Sequence, residues 1–100
     1  MPHEQTIDLE LAQDVSIRFS RSGRPIERYS VVLLVFRDDE WETARLFDNH
    51  EGSHHMHRYN LKDGKQAAEV VHPGPTNAAI AAAIQHLKDH WEAIVEPWRT

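Results

Sequence analysis

The residues best suited to chemistry are concentrated between positions 46 and 59 of this 100-residue chain, where four histidines accompany an aspartate, an arginine and a tyrosine. Histidine gains and loses a proton near neutral pH more readily than other side chains do. In an extended segment, alternation places His55 and His57 on one face together with Tyr59, and Arg58 on the other. Two imidazoles beside a phenol favour general acid–base catalysis, and Arg58 would hold a phosphate if the loop turned it inward.

The same segment resembles the TumE-type toxins of bacterial toxin–antitoxin modules. Their pattern is an aromatic residue followed by Asp-Asn, then a Gly, then His-x-His-Arg-Tyr. The residues that match it here are Phe47, Asp48, Asn49, Gly52, His55, His57, Arg58 and Tyr59. The resemblance covers residues 27–96, with Phe47 where tyrosine is usual, additional histidines at 50 and 54, and no counterpart for the strand before Gly23. It implies a short antiparallel sheet that carries a C-terminal helix.

The resemblance also implies a toxin that a cognate antitoxin neutralises and that acts on RNA or on translation. Cleavage of RNA without a metal uses the 2′-OH as internal nucleophile, so the protein must supply a base, an acid and a cation for the phosphate. His57 would be the base or the acid, with His55 as its partner, and Arg58 would hold the phosphate. Tyr59 would stack on a base or donate a proton, and Asp48 would orient a histidine.

Two other interpretations of this segment remain open. One is a solvated polar surface without chemistry, since histidine clusters on edge strands are often only that. The other is a zinc site in which His54, His55, His57 and Asp48 supply nitrogen and oxygen ligands. Because the spacing matches no specific zinc signature, we predict no metal and no cofactor.

A second histidine pair, His86 and His90, stands four residues apart and therefore lies on one face of a predicted helix. The segment resembles the zinc motif His-x-x-Glu-His, but Asp89 stands in place of the glutamate. Both histidines flank the apolar stripe of the helix, so we predict a solvated pair rather than a metal site.

Four arginines, Arg18, Arg21, Arg24 and Arg28, lie close together, and Glu27 is the only acid among them. They are candidates for binding the phosphates of RNA. The alternative is a charged hairpin that keeps the domain in solution and prevents edge-to-edge pairing of strands.

The overall charge limits how the chain can meet nucleic acid. Eleven Lys and Arg residues against sixteen Asp and Glu residues give a net charge of −5, with the eight histidines neutral. This balance argues against broad coating of DNA or RNA, which needs a positive surface. Full protonation of the histidines would change the charge from −5 to +3, so binding to polyanions should depend on pH.

Alternating apolar residues predict the strands that must position the histidines. Residues 7–19 have this pattern, with Gln13-Asp14 as a break or a bulge, and residues 20–25 form a hairpin connection. Further strands are predicted at 27–37, 41–47, 54–61 and, as a short edge strand, 66–71, with a hairpin turn at 62–65. The run Val31–Phe36 is apolar on both faces, which is typical of a central strand that is covered above and below.

A long amphipathic helix is predicted over residues 76–96. Its apolar stripe has spacings of three, four and seven residues. The stripe consists of Ile80, Ile84, Leu87, Trp91, Ile94 and Trp98. Thr76 or Asn77 can cap the helix, and Pro97 should end or kink it.

Composition excludes several classes of protein. Hydrophobic residues make up 40% of the chain and charged residues 27%, which is ordinary for a globular domain. The absence of cysteine excludes disulfides, thiolate zinc sites and cysteine nucleophiles. No apolar run is long enough for a membrane span, and the N-terminus does not have the pattern of a signal peptide, so we expect a cytoplasmic protein.

Together these observations predict one α+β domain over residues 1–100. Four or five antiparallel strands over 7–71 would carry one long helix, 76–96, on one face of the sheet. The predicted function is that of a toxin, a small metal-independent endoribonuclease or translation inhibitor, whose partners are RNA and an antitoxin. The alternatives are a non-catalytic binding or assembly module, homodimeric through an exposed strand edge, and a histidine-rich metal-binding domain.

Overall fold

A computed structural model describes residues 4–50, 53–72 and 74–99 of the chain, as an antiparallel sheet with a C-terminal helix. The strands are β1 (Glu4–Ala12), β2 (Val15–Ser22), β3 (Arg28–Arg37), β4 (Glu40–Asp48), β5 (His54–Asn60), β6 (Gly64–Lys65) and β7 (Glu69–His72). The helix α1 (Thr76–Val95) continues into a 3₁₀ turn, Glu96–Arg99. The sheet order is β1-β2-β3-β4-β5-β6, and β7 also pairs with β5.

The α+β class and the C-terminal helix are confirmed, but the described residues contain seven strands rather than four or five. The stretch 7–19 folds into two strands because Gln13 and Asp14 form a tight turn, so that β1 and β2 pair along their length. Of the predicted edge strand 66–71 only the second half is extended, as part of β7, and β6 lies within the predicted turn at 62–65. Both lie along the same edge of β5, β6 near the end of β5 and β7 near its start.

The core lies between the sheet and α1. On β3 the residues Val31, Leu33 and Val35 are fully buried, and they pack with Leu87 and Val95 of the helix. We call this side of the sheet the helix-covered face and the other side the open face. The prediction that β3 is covered on both faces was wrong for the described residues. Helix α1 packs on one face, and on the open face Val32 and Leu34 remain half-buried.

An irregularity in β4 decides which of its side chains meet the helix. Leu34 pairs with Thr43 but Leu33 pairs with Arg45, so Ala44 is an extra residue in the strand. An extra residue shifts the alternation of faces for everything that follows it. Arg45 and Phe47 therefore lie on the helix-covered face, and Leu46 and Asp48 lie on the open face.

Helix α1 begins without the cap that the sequence predicts. Its N-cap is Pro75 rather than Thr76 or Asn77, and no side chain caps the first turn. The N–H of Ala79 donates to the carbonyl oxygen of Pro75 at 3.0 Å and starts the helical pattern. A proline at the N-cap offers no side-chain acceptor, and its fixed φ suits the extended entry to the helix.

The end of the helix agrees with the prediction, since α1 stops at Val95, two residues before Pro97. Trp98 lies in the 3₁₀ turn and belongs to the core. The guanidinium of Arg99 donates to the carboxylate of Asp14 at 2.7 and 2.9 Å, which fastens this end to the β1–β2 turn. No helix in the described part of the chain is both long and apolar enough to cross a membrane.

Candidate functional site

Two of the predicted catalytic histidines share the open face of β5 with an aspartate of β4. Asp48 lies directly opposite His55, and Leu46 lies directly opposite His57. Directly opposite residues in an antiparallel pair have Cβ atoms about 4.5–5.5 Å apart. The structure therefore brings Asp48, His55 and His57 onto one face, which the alternation of β5 predicts for the two histidines.

Asp48 and His55 are both largely withdrawn from solvent. Asp48 is 5% exposed and is the charged residue of the described core. The Nδ1 atom of His55 is buried and has no hydrogen-bond partner among the described residues. A buried polar atom without a partner costs free energy unless the site gains a ligand or a proton. The Nδ1 atom of His55 is therefore a candidate contact for a ligand or a proton.

His57 is held by the backbone beyond the β5–β6 hairpin. Its Nδ1 lies 2.9 Å from the carbonyl oxygen of Gln66. A carbonyl oxygen only accepts, so Nδ1 carries the hydrogen and donates it. In the neutral ring Nε2 is then the atom with a free lone pair. The contact fixes both the orientation of the ring and the nitrogen that can take a proton.

Arg58 is not on the same face as these histidines. It lies on the helix-covered face, directly opposite Arg45, and forms an ion pair with Glu69 of β7. Both partners of this ion pair are about half exposed, at 53% and 51%. A role for Arg58 beside His55 and His57 would require the strand to twist, whereas the ion pair with Glu69 holds Arg58 on the helix-covered face.

Tyr59 is also drawn away from the histidines. It packs against the edge of the core and lines a cavity of about 350 Å³ together with Trp98 and the arginines Arg45 and Arg58. Gly52, another residue of the resemblance, lies outside the described residues. Three of the five predicted catalytic residues, Asp48, His55 and His57, therefore gather on one face.

His54 has a structural environment on the helix-covered face. Its Nδ1 lies 2.8 Å from the hydroxyl of Tyr29, and its Nε2 lies 3.0 Å from the carbonyl oxygen of Gly74. Burial, and to a smaller extent the charge of Asp48, raises the pKa of Tyr29 to about 12. His54 thus links β3 to the segment that leads into α1.

The zinc alternative required His54, His55 and His57 to converge. His54 faces away from the other two. Within residues 4–50, 53–72 and 74–99 no three His, Asp or Glu side chains are placed to hold a metal ion together.

The four predicted RNA-binding arginines have different surroundings. Arg18 forms an ion pair with Asp8, and Arg21 donates to the side chain of Gln5. Arg21 and Arg24 line a cavity of about 560 Å³ at the β2–β3 connection. Arg28, at the start of β3, lines another cavity of about 350 Å³ that also includes His50. Arg21 also lines this second cavity, so it is shared by the two.

Arg28 is the member of this set that lies nearest to the histidines. It stands two residues before Ser30, which pairs with Asp48, which in turn pairs with His55. With strands about 4.8 Å apart and a rise of about 3.3 Å per residue, the Cα atoms of Arg28 and His55 are roughly 12 Å apart. An arginine side chain and a phosphate group can bridge that distance.

The open face also carries an apolar area. Phe36 and Trp41 are directly opposite each other, with ring centroids 5.3 Å apart, and they are 41% and 48% exposed. Between them and the histidines lie the half-buried side chains of Leu34, Val32 and Leu46. An uncovered apolar area of this kind suits a partner or a stacked base.

Sequence reasoning missed a second set of charged residues on the helix-covered face. Arg45, Glu69 and His86 line a cavity with Arg58 between the sheet and α1. Burial, the charge of His90 and the charge of Arg45 lower the pKa of His86. The signal available in the sequence was Arg45, a single arginine in a strand with alternating apolar residues. The extra residue at Ala44 shifts the alternation, so the face of Arg45 could not be predicted from it.

The fold and this arrangement define a small α+β domain with an antiparallel sheet, an open face and one covering helix. Residues 1–99 match the family described as a domain of unknown function, DUF7718, and the chain belongs to that family. Neither the curated proteins nor the solved structures contain a match to this chain. The family match carries no link to the TumE-type toxins, so that resemblance stays a prediction.

Proposed function

We propose that this protein is a cytoplasmic toxin that cleaves single-stranded RNA without a metal, using His55 and His57 on the open face. The observation that carries the proposal is the placement of Asp48 opposite His55, with His57 on the same face. A carboxylate beside one imidazole and a carbonyl that orients the other give the two histidines different proton-transfer roles.

His57 acts as the base in this proposal, and His55 acts as the acid. Nε2 of His57 takes the proton of the 2′-OH, and the 2′-oxygen attacks the adjacent phosphorus. The 5′-oxygen of the next nucleotide leaves and takes a proton from His55, which lies directly opposite Asp48. The products are a 2′,3′-cyclic phosphate and a free 5′-hydroxyl, and the next cycle requires the reverse proton exchange with water.

Arg28 replaces Arg58 as the group that holds the phosphate. It lies at the same end of the open face as Asp48 and His55, whereas Arg58 lies on the other face. Single-stranded RNA binds sheet surfaces through stacking of its bases on exposed aromatic rings. Phe36 and Trp41 offer such a surface farther along the same face.

An antitoxin would neutralise the protein by covering the open face. The half-buried residues Val32, Leu34 and Leu46 form an apolar centre there, beside the histidines. A partner that buries this area would also block access of RNA to His57. The same contact would explain why an apolar strand face is left uncovered in the isolated chain.

Growth of a bacterial host after tightly controlled induction tests this proposal. The parent chain and the His57→Ala variant are compared at matched soluble levels, with His90→Ala as a control on the exposed side of α1. The proposal predicts arrest by the parent and by the control but not by His57→Ala. Arrest by all three proteins, or by none of them, would contradict it.

A non-catalytic assembly module is the second candidate, and the exposed pair of Phe36 and Trp41 is the observation that favours it. Two copies could bury these rings against each other across the open face. Sedimentation of the parent and of the double variant Phe36→Ser, Trp41→Ser separates the two functions. A dimer that the double variant converts to a monomer, together with no growth arrest, would favour assembly.

A further inference from the structure

The groove between the sheet and the first half of α1 is a charged cavity of the helix-covered face. It has a volume of about 340 Å³ and is lined by side chains from β4, β5, β7 and α1. The helix contributes the small residues Ala79, Ala82 and Ala83 to its wall. Alanine at these positions leaves space beside the sheet that larger side chains would fill.

Two arginines stand side by side in this groove. Arg45 and Arg58 are directly opposite each other on neighbouring strands. Like charges in this position repel and destabilise a sheet. Glu69 compensates Arg58 by an ion pair, whereas Arg45 has no ion pair within the described part of the chain.

Arg45 is the arginine of the pair whose charge no ion pair compensates within the described residues. Its Nε atom is buried and has no hydrogen-bond partner among the residues the structure describes. Burial and the neighbouring charge of Arg58 lower its pKa, and Glu69 counteracts this in part. A guanidinium held in this way gains free energy from any anion that can accept its hydrogens.

The remaining walls favour a ligand with an apolar part. Phe47 and Met56 form the floor on the sheet, and both are core residues. The ring of His86 stands edge-on to that of Phe47, with centroids 5.9 Å apart. A volume of this size is at the lower end for sites that bind small molecules, which are roughly 300–1,000 Å³.

We propose that this groove binds a small phosphate monoester, with the phosphate on Arg45 and Arg58 and an aromatic or apolar group against Phe47 and Met56. Two adjacent guanidiniums fit a phosphate better than a carboxylate, because each can donate two hydrogens to separate oxygens of a dianion. The site lies on the face opposite His55 and His57, so the proposal does not depend on the proposed function.

Nuclear magnetic resonance of the arginine side chains tests the site. Phenyl phosphate is the probe, and benzoate and inorganic phosphate are compared with it. The Nε–Hε signals of Arg45 and Arg58 should shift on saturable addition of phenyl phosphate. Phenyl phosphate should bind more tightly than inorganic phosphate, which lacks the ring, and more tightly than benzoate, which lacks the third oxygen and the second charge.

Three variants decide whether the groove is the site. Arg45→Met and Arg58→Met should each weaken phenyl phosphate binding by about tenfold or more, because each removes hydrogen bonds between charged groups. Arg37→Met removes the same charge outside the groove, where Arg37 pairs with Glu42, and should change the affinity by less than about twofold. Each variant is first checked for the parent's pattern of backbone signals.

The proposal is overturned if the Arg45 Nε–Hε signal does not move, if benzoate binds more tightly than phenyl phosphate, or if Arg37→Met weakens binding as much as Arg45→Met. The first outcome would mean that the unpartnered guanidinium is a structural feature. The second would assign the groove to carboxylates. The third would mean that the probe responds to overall charge.

Discussion

The charged and titratable side chains on the two faces of β5 have different surroundings. On the open face His55 and His57 lie beside Asp48, which is 5% exposed. On the helix-covered face Arg58 lies beside Arg45, in a groove that α1 closes on one side. One seven-residue strand therefore supplies two different environments, because successive side chains point to opposite faces.

This difference shows why a motif that is continuous along a strand is not one site. His57 and Arg58 are neighbours in the sequence, yet the proton transfer that we propose takes place on the open face and the anion site that we propose lies in the groove. The cation that we propose for chemistry on the open face, Arg28, comes from another strand. Adjacent residues in a β-strand thus lie in separate environments.

The largest expected effect concerns which face holds the fold together. Leu33 is fully buried on the helix-covered face, whereas its neighbour Leu34 is half-buried on the open face. Leu33→Ala should lower the free energy of unfolding by about 2–5 kcal/mol, because it leaves a cavity in the core. Leu34→Ala should cost about 1 kcal/mol, in proportion to the smaller area that it buries. Urea denaturation of both variants measures the difference. Equal losses would mean that the open face is covered in solution.

The next effect is a pH dependence that belongs to the helix-covered face. Burial raises the pKa of Tyr29 to about 12, so the fold favours its protonated phenol. In the unfolded chain the pKa of a tyrosine is near 10. The contribution of Tyr29 to the free energy of unfolding is therefore fully present below about pH 10 and is lost as the pH rises towards 12. The loss should be on the order of 2 kcal/mol. Unfolding measurements between pH 9 and 12 should show it in the parent. The Tyr29→Phe variant should lack this component, and an identical pH profile for the variant would contradict the assignment.

A smaller effect is expected on the affinity of the groove for phenyl phosphate when Glu69 is replaced. Glu69 competes with any anion for Arg58. Glu69→Gln should tighten phenyl phosphate binding several-fold and should change stability by less than about 1 kcal/mol, since the ion pair is half exposed. Glu42→Gln, which releases Arg37 elsewhere on the sheet, is the matched control. Calorimetric titration measures both affinities. Weaker binding by the Glu69 variant would show that Glu69 belongs to the ligand site.

The smallest expected effect is on the stability of the open face. His57→Ala removes one hydrogen bond, from Nδ1 to the carbonyl oxygen of Gln66, on a half-buried side chain. The cost in unfolding free energy should be about 1 kcal/mol or less. Thermal denaturation followed by circular dichroism measures it. A loss comparable to that of Leu33→Ala would make His57 a structural residue and would remove the basis for its catalytic role.

The class of fold could be predicted because its signals are local. Alternation identified the strands, and spacings of three and four identified the helix that ends before Pro97. The number of strands could not be predicted with the same success. A two-residue turn at Gln13 and Asp14, and strands as short as β6, leave little trace in a periodic pattern.

Of the two candidate sites, likewise, one could be predicted from local patterns and the other could not. The open-face pair His55 and His57 could be predicted, because alternation within one strand is a local rule. The groove could not, because it depends on the extra residue at Ala44, on the pairing of β7 with β5, and on the packing of α1. The packing of the C-terminal segment likewise places Tyr59 at the edge of the core.

Cleavage of a single-stranded RNA oligomer in the presence of a chelator tests the central claim, that the chemistry belongs to the open face. Purified parent, His57→Ala, His90→Ala and Arg58→Met are compared. The account predicts cyclic phosphate products from the parent and from His90→Ala, and a loss of about 10²–10⁴-fold for His57→Ala. The loss for Arg58→Met should be far smaller, because Arg58 lies on the other face. No cleavage by the parent, or equal losses for His57→Ala and Arg58→Met, would contradict the account.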